Sequence, residues 1–161
     1  MPLVFDVNDA DARRQLLGRL LPEAVDRLRE DATPQWGVMT AQQMVEHLIW
    51  TLELSRGGAP VKCFAPADMR ERPKPFLYDN RPTPRCFKNP ALGDGPLPLR
   101  YSGLPEAKAE FRKELERYLG YQRDHPEALN THPLLGPLGT EEWERCHYKH
   151  SYHHLLQFGL V

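Results

Sequence analysis

Four of the seven histidines crowd into one short stretch near the C-terminus: His147, His150, His153 and His154. A neutral imidazole is the commonest side-chain ligand for divalent metal ions. On a helix, His150 and His154 would lie about 40° apart on the wheel and roughly one turn apart along the axis. Two rings so placed can converge on one ion, because tetrahedral zinc with bonds of about 2.0 to 2.1 Å needs nitrogens only about 3.3 Å apart. A third ligand must come from elsewhere in the chain.

The elements that would carry these rings can be read from local pattern. No proline or glycine interrupts Thr140 to Phe158, so one helix is expected there. Thr140 is its expected N-cap, with Glu141 and Glu142 facing the positive helix end. Upstream, Thr40-Ala41-Gln42-Gln43 reads as a capping box that opens a helix over about Ala41 to Ser55, and Gly57-Gly58-Ala59-Pro60 closes it. His47 lies midway along that helix among Met44, Leu48, Thr51 and Leu54. A polar ring on an apolar face needs a partner, so His47 is either hydrogen-bonded in the core or bound to something. Opposite a histidine pair, the second option gains weight, since bundle cores are where facing helices build metal sites.

Two more helices complete the frame. From Asp9 to about Arg29, Leu16, Leu17, Leu20, Leu21, Val25 and Leu28 recur at helical spacing, with Pro22 expected to bend or break the rod. After Pro105, Ala107, Phe111, Leu115, Tyr118, Leu119 and Gln122 mark one face, and Lys108, Glu110, Arg112, Lys113, Glu114, Glu116 and Arg117 mark a solvated one. Between helices two and three, residues 57–104 are dense in proline, which excludes a long helix. Phe64, Phe76, Leu77, Tyr78, Phe87, Leu92, Leu97, Leu99 and Tyr101 supply apolar anchors, so this segment is expected to be an ordered insertion across one end of the bundle, with a short extended piece at Leu97 to Tyr101. The connector from Asp124 to Gly139 carries glycines and prolines and no repeat. The expected fold is all-α: a single four-helix-bundle domain over residues 1–161, with a long Pro-rich connection between helices two and three.

Composition narrows the function classes. A net charge of −1 argues against a nucleic-acid surface, which needs clustered Lys and Arg. No apolar run approaches the ~18 residues of a membrane span, and Met1-Pro2-Leu3-Val4-Phe5-Asp6 lacks the layout of a signal peptide. A cytoplasmic location is the expectation. Cys63, Cys86 and Cys146 are odd in number and form no C-x-x-C pair, so reduced thiols are expected, with Cys146 a packed helix residue. A disulfide between Cys63 and Cys86 is not indicated.

The combination Trp36-Gly37-Val38-Met39-Thr40, then Glu46-His47-Leu48, then His132-Pro133-Leu134-Leu135-Gly136 and Glu142-Trp143, then His150-x-x-His153-His154-Leu155-x-Gln157-Phe158, resembles the DinB-like (YfiT-like) superfamily of metal-binding four-helix bundles. Within it the chain is most similar to bacterial proteins of unknown function. The resemblance covers nearly the whole chain, and its most specific part is the H-x-x-H-H-x-x-Q-F segment. It implies a divalent ion, zinc or nickel, held by His47, His150 and His154. It also implies thiol-linked chemistry on a small-molecule substrate: transfer of a low-molecular-weight thiol to an electrophile, or thiol-dependent isomerisation.

The other histidines are weaker candidates. His153 lies about 60° from His150 on the wheel and suits a flanking contact. His147 lies about two turns from His154, too far to share its ion but placed to touch a substrate near the cavity mouth. His132 and His125 fall in loop context and read as structural. Gln157, Trp50, Tyr148 and Tyr152 could line the cavity. Three neutral imidazoles leave a tetrahedral ion one open position, as in catalytic rather than closed structural sites. No general acid or base stands out, since Glu46 and Glu53 point about 100° and 120° away from His47 and suit a solvated face. Three alternatives stay open: a metal-dependent enzyme, a non-catalytic metal-binding bundle, and a histidine cluster serving as a polar core without metal. Ordinary histidine titration near 6.5 sets the expectation that metal leaves by about pH 5. Apolar residues on helix one and in the long connection suit a homodimer.

Overall fold

The computed structural model describes residues 4–161, so Met1, Pro2 and Leu3 of the N-terminal stretch read above lie outside it. The described chain is mostly helical, with one small antiparallel pair of strands that the all-α expectation did not include. No helix among the described residues is long and apolar enough to cross a membrane.

The first helix occupies residues 10–27, as Ala10–Gln15, a π-helical turn Leu16–Leu20 and Leu21–Arg27. Asp9 caps it, its Oδ1 accepting from the N–H groups of Asp11 and Ala12 at 2.9 and 3.1 Å. Pro22 does not end the rod, which runs on to Arg27. Proline lacks an N–H and its ring presses on the carbonyl four residues back, here that of Gly18. The wider turn relieves both problems, with the Leu21 N–H reaching the Leu16 carbonyl five residues back. Leu16, Leu17, Leu21, Ala24 and Val25 then bury their side chains in the main core.

The second helix, Ala41–Ser55, opens on the expected capping box: Thr40 Oγ1 accepts from the Gln43 N–H at 3.1 Å, and Gln43 Oε1 accepts from the Thr40 N–H at 2.9 Å. It ends at Gly57, whose φ of +70° and close approach to Asn130 favour glycine. The third helix, Leu104–Asp124, buries Ala107, Phe111, Leu115 and Tyr118 against the second, while Leu119 of the expected apolar face is exposed. Glu114, expected on the solvated face, is buried, because it pairs with Arg56 from the end of the second helix and with Arg117. The last helix, Thr140–Gln157, packs on the first and second. Its N-cap is Gly139 rather than Thr140: Glu142 Oε1 accepts from the Gly139 N–H at 3.2 Å, and Thr140 is already helical.

The connector before the last helix folds into a hairpin, Asn130–His132 against Gly136–Leu138, with Asn130 opposite Leu138 and His132 opposite Gly136. Trp143 Nε1 donates to the Asn130 carbonyl at 3.0 Å and ties the hairpin to the last helix. Leu135, Leu138, Trp143, Leu54 and Leu77 make a second, smaller core beneath it.

The Pro-rich insertion contains three short 3₁₀ turns, Ala67–Met69, Lys74–Tyr78 and Pro90–Leu92. It is held by a few specific bonds rather than by many apolar anchors. Leu77 is buried, but Phe64, Tyr78, Phe87, Leu97 and Leu99 are exposed. Lys149 Nζ, on the last helix, donates to the Phe76 and Asp79 carbonyls at 2.6 and 2.8 Å and sits over the Phe76 ring. Leu97 to Tyr101 forms no strand, because the N–H groups of Arg100 and Tyr101 are spent on the Glu46 carboxylate at 2.7 and 3.1 Å. Cys63, Cys86 and Cys146 are all free thiols.

Candidate metal centre

The side chains of His47, His150 and His154 meet between the second and last helices. His150 Nε2 lies 2.8 Å from His47 Nε2 and 3.1 Å from His154 Nε2. One ligand atom from each ring falls within 4.8 Å of the other two. The ring planes stand at 67° to 89° to one another, edge to face, so the nitrogens converge instead of the ring faces stacking.

Burial is the main force on their protonation. It pushes His47 down to about 4, with the neighbouring His153 adding a smaller push, and it drives His150 and His154 well below the ordinary histidine range, reinforced by the other rings. A protonated imidazole among two others in a dry site is costly. The neutral form is therefore the resting state, and it is the form that ligates metal. This moves the expected onset of proton competition below the ordinary value near 6.5. Two of the three nitrogen–nitrogen separations, 2.8 and 3.1 Å, come close to the edge of about 3.3 Å that a tetrahedral zinc site requires, and the third is within 4.8 Å. An all-imidazole donor set is of the kind that suits zinc, copper, iron or nickel.

The remaining candidates separate cleanly. His153 flanks the cluster, half-buried with its ring against Trp36 and His154 at 5.3 and 5.1 Å. His147 is buried in a slot between the Trp143 and Tyr118 rings, with Nε2 lacking a hydrogen-bond partner among the described residues. That burial removes it from any cavity mouth and pushes its pKa down to about 3. His132 Nδ1 accepts from the N–H groups of Leu134 and Leu135, at 3.1 and 3.2 Å, and closes the hairpin turn. His125 packs on Tyr121. Tyr148 and Tyr152 do not line the cluster: both rings pack on Phe5, and the Tyr148 hydroxyl accepts from the Asp6 N–H at 3.1 Å.

Trp50 lies beside His47, their ring centroids 6.0 Å apart, and lines a small cavity with Met39, Gln43, Leu97 and Arg100. Glu46 borders the same cavity but is buried, not solvated. Its Oε1 accepts from Gln42 Nε2 and the Tyr101 N–H, and its Oε2 from the Arg100 N–H. Glu53 is paired through both oxygens with the Arg100 guanidinium, each at 2.9 Å. Both carboxylates thus serve to hold the insertion against the second helix.

Pattern reading alone did not single out the role of Gln157. Its Oε1 is 2.7 Å from His154 Nδ1, and its Nε2 donates to the Trp36 carbonyl at 3.0 Å. The signal was present in the three-residue spacing of His154 and Gln157, which places both on one helix face.

Comparison of the chain with curated proteins finds no match. Residues 17–159, which include every member of the histidine cluster, match a family model described as "Protein of unknown function (DUF1569)", and the chain belongs to that family.

Proposed function

We propose that this protein is a divalent-metal-binding four-helix bundle of the DinB-like kind, with His47, His150 and His154 as ligands and one coordination position left for a small molecule. The observation that carries the reading is the convergence of three imidazole Nε2 atoms from two helices. Zinc or nickel suits the all-nitrogen donor set. Such an ion, when bound, supplies Lewis acidity that stabilises a thiolate or polarises a carbonyl. The chain's own residues hold the ligand rings neutral through burial and wall the approach beside His47 with Met39, Trp50 and Leu97. The proposed activity is metal-dependent transfer of a low-molecular-weight thiol to an electrophile, or thiol-dependent isomerisation. The sequence resemblance described above supports that choice of chemistry.

One observation favours a non-catalytic metal-binding bundle as the second reading: Glu46 and Glu53, the carboxylates flanking His47 on its helix, are both committed to the insertion. A thiol-consumption assay over a panel of electrophiles, with zinc or nickel supplied and then chelated, separates the two. Turnover that disappears on chelation supports the enzyme, and no metal-dependent turnover across the panel supports the passive bundle.

A further inference from the structure

Gln157 sits almost one turn beyond His154 on the last helix, and both residues are 5% exposed. Its amide makes two hydrogen bonds in opposite directions. Nε2 donates to the Trp36 carbonyl at 3.0 Å, while Oε1 lies 2.7 Å from His154 Nδ1. A carbonyl oxygen only accepts, so the end of the amide that faces Trp36 must be the NH2 group. The oxygen end then faces the imidazole, and His154 Nδ1 must carry the proton. In a neutral ring this leaves Nε2 with a bare lone pair, and Nε2 is the atom 3.1 Å from His150 Nε2.

The turn that supplies the carbonyl is shaped for this contact. Gly37, next to Trp36, has a φ of +76°, and a Cβ built on it would stand 3.0 Å from Gln157 Nε2. A side chain there would be strained by the backbone and would push on the amide.

We propose that Gln157 is a positioning residue for the histidine cluster: anchored on the Trp36 carbonyl, it fixes the Nδ1–H tautomer of His154 and aims the Nε2 lone pair at His150 and His47. This deepens the metal-binding reading and rests on it only for the effect on affinity, since the tautomer is set with or without an ion. Partners of this kind on ligating histidines typically change metal affinity about 10- to 100-fold.

The test uses the full chain, metal-free and labelled with ¹⁵N-histidine, as wild type, Gln157→Leu and Gln157→Glu. Long-range ¹H–¹⁵N spectra identify the protonated nitrogen of His154, and chelator competition measures zinc affinity. Glutamate keeps an acceptor for His154, whereas leucine keeps neither bond. The expected result is Nδ1–H in wild type and Gln157→Glu, with mixed tautomers in Gln157→Leu and zinc binding weaker by about 10- to 100-fold. If the leucine variant fails to fold, Gly37→Ala, which crowds the amide, should shift the tautomer the same way. His154 protonated at Nε2 in the wild type overturns the proposal, as does a folded leucine variant with unchanged tautomer and affinity. A wild type with the Nδ1–H tautomer that binds no zinc supports the positioning role and removes the metal reading instead.

Discussion

His47 and His150 stand 103 positions apart in the chain, yet their Nε2 atoms are 2.8 Å apart. That separation is slightly under the nitrogen spacing of about 3.3 Å around tetrahedral zinc, and it also suits an N–H···N hydrogen bond. The same contact is therefore compatible with an ion drawing the rings together and with a shared proton in a polar core. Both arrangements use the neutral rings that burial enforces, and only the first leaves a position for a guest molecule.

Low pH should destabilise the fold through histidines outside the cluster. Burial holds His132 down to about 4 and His147 down to about 3, against an unfolded value near 6.5. The unfolded chain then binds protons that the folded chain refuses, so the stabilisation is fully present above about pH 6.5 and is lost as pH falls from there towards the folded values. For each histidine the loss between pH 7 and pH 5 is on the order of 2 kcal/mol. Urea denaturation at both pH values measures it, and His147→Phe, which fills the slot between Trp143 and Tyr118 without a titrating nitrogen, should lessen the drop. An equal drop in that variant would contradict the assignment.

Glu46→Gln should loosen the insertion without touching the clustered histidine rings. The carboxylate accepts from two backbone N–H groups, of Arg100 and Tyr101, and an amide can present only one oxygen to them. A loss of about 1 to 2 kcal/mol is expected, with faster hydrogen exchange at those two amides. Unchanged exchange there would show that Glu46 does not hold the segment.

Arg56→Met should cost roughly 3 kcal/mol, because it leaves the Glu114 carboxylate buried with only the more exposed Arg117 as partner. Replacing both members, Arg56→Met with Glu114→Leu, should recover most of that loss, since no buried charge is then left unpaired. Denaturant titrations of the single and double variants give the comparison. A double variant no more stable than the single one would contradict the argument.

The helices were legible because their signals are local. The Thr40–Gln43 capping box, the uninterrupted run from Thr140 and the spacing of Leu16, Leu17, Leu21 and Val25 lie within a few residues of what they control. The meeting of His47 with His150 and His154 was legible as a possibility, from one polar ring on an apolar face and a pair one turn apart. Features that depend on distant partners were not. Glu46 and Glu114 read as solvated charges until Arg100, Tyr101 and Arg56 were brought to them. The hairpin at Asn130–His132 and Gly136–Leu138 has three-residue strands, the second with Pro137 at its centre, too short for alternation to show. In the insertion, apolar residues looked like anchors, but the segment is fixed mainly by backbone groups meeting Lys149 and Glu46, which periodicity does not report.

The most direct test is the metal content of protein purified without an affinity tag, measured by elemental analysis for the wild type and for His150→Ala. About one zinc or nickel ion per chain in the wild type, lost in the variant while the fold persists by circular dichroism, is the predicted result. A wild type with no divalent ion, even after incubation with zinc or nickel, or a variant that keeps its ion, would contradict the account.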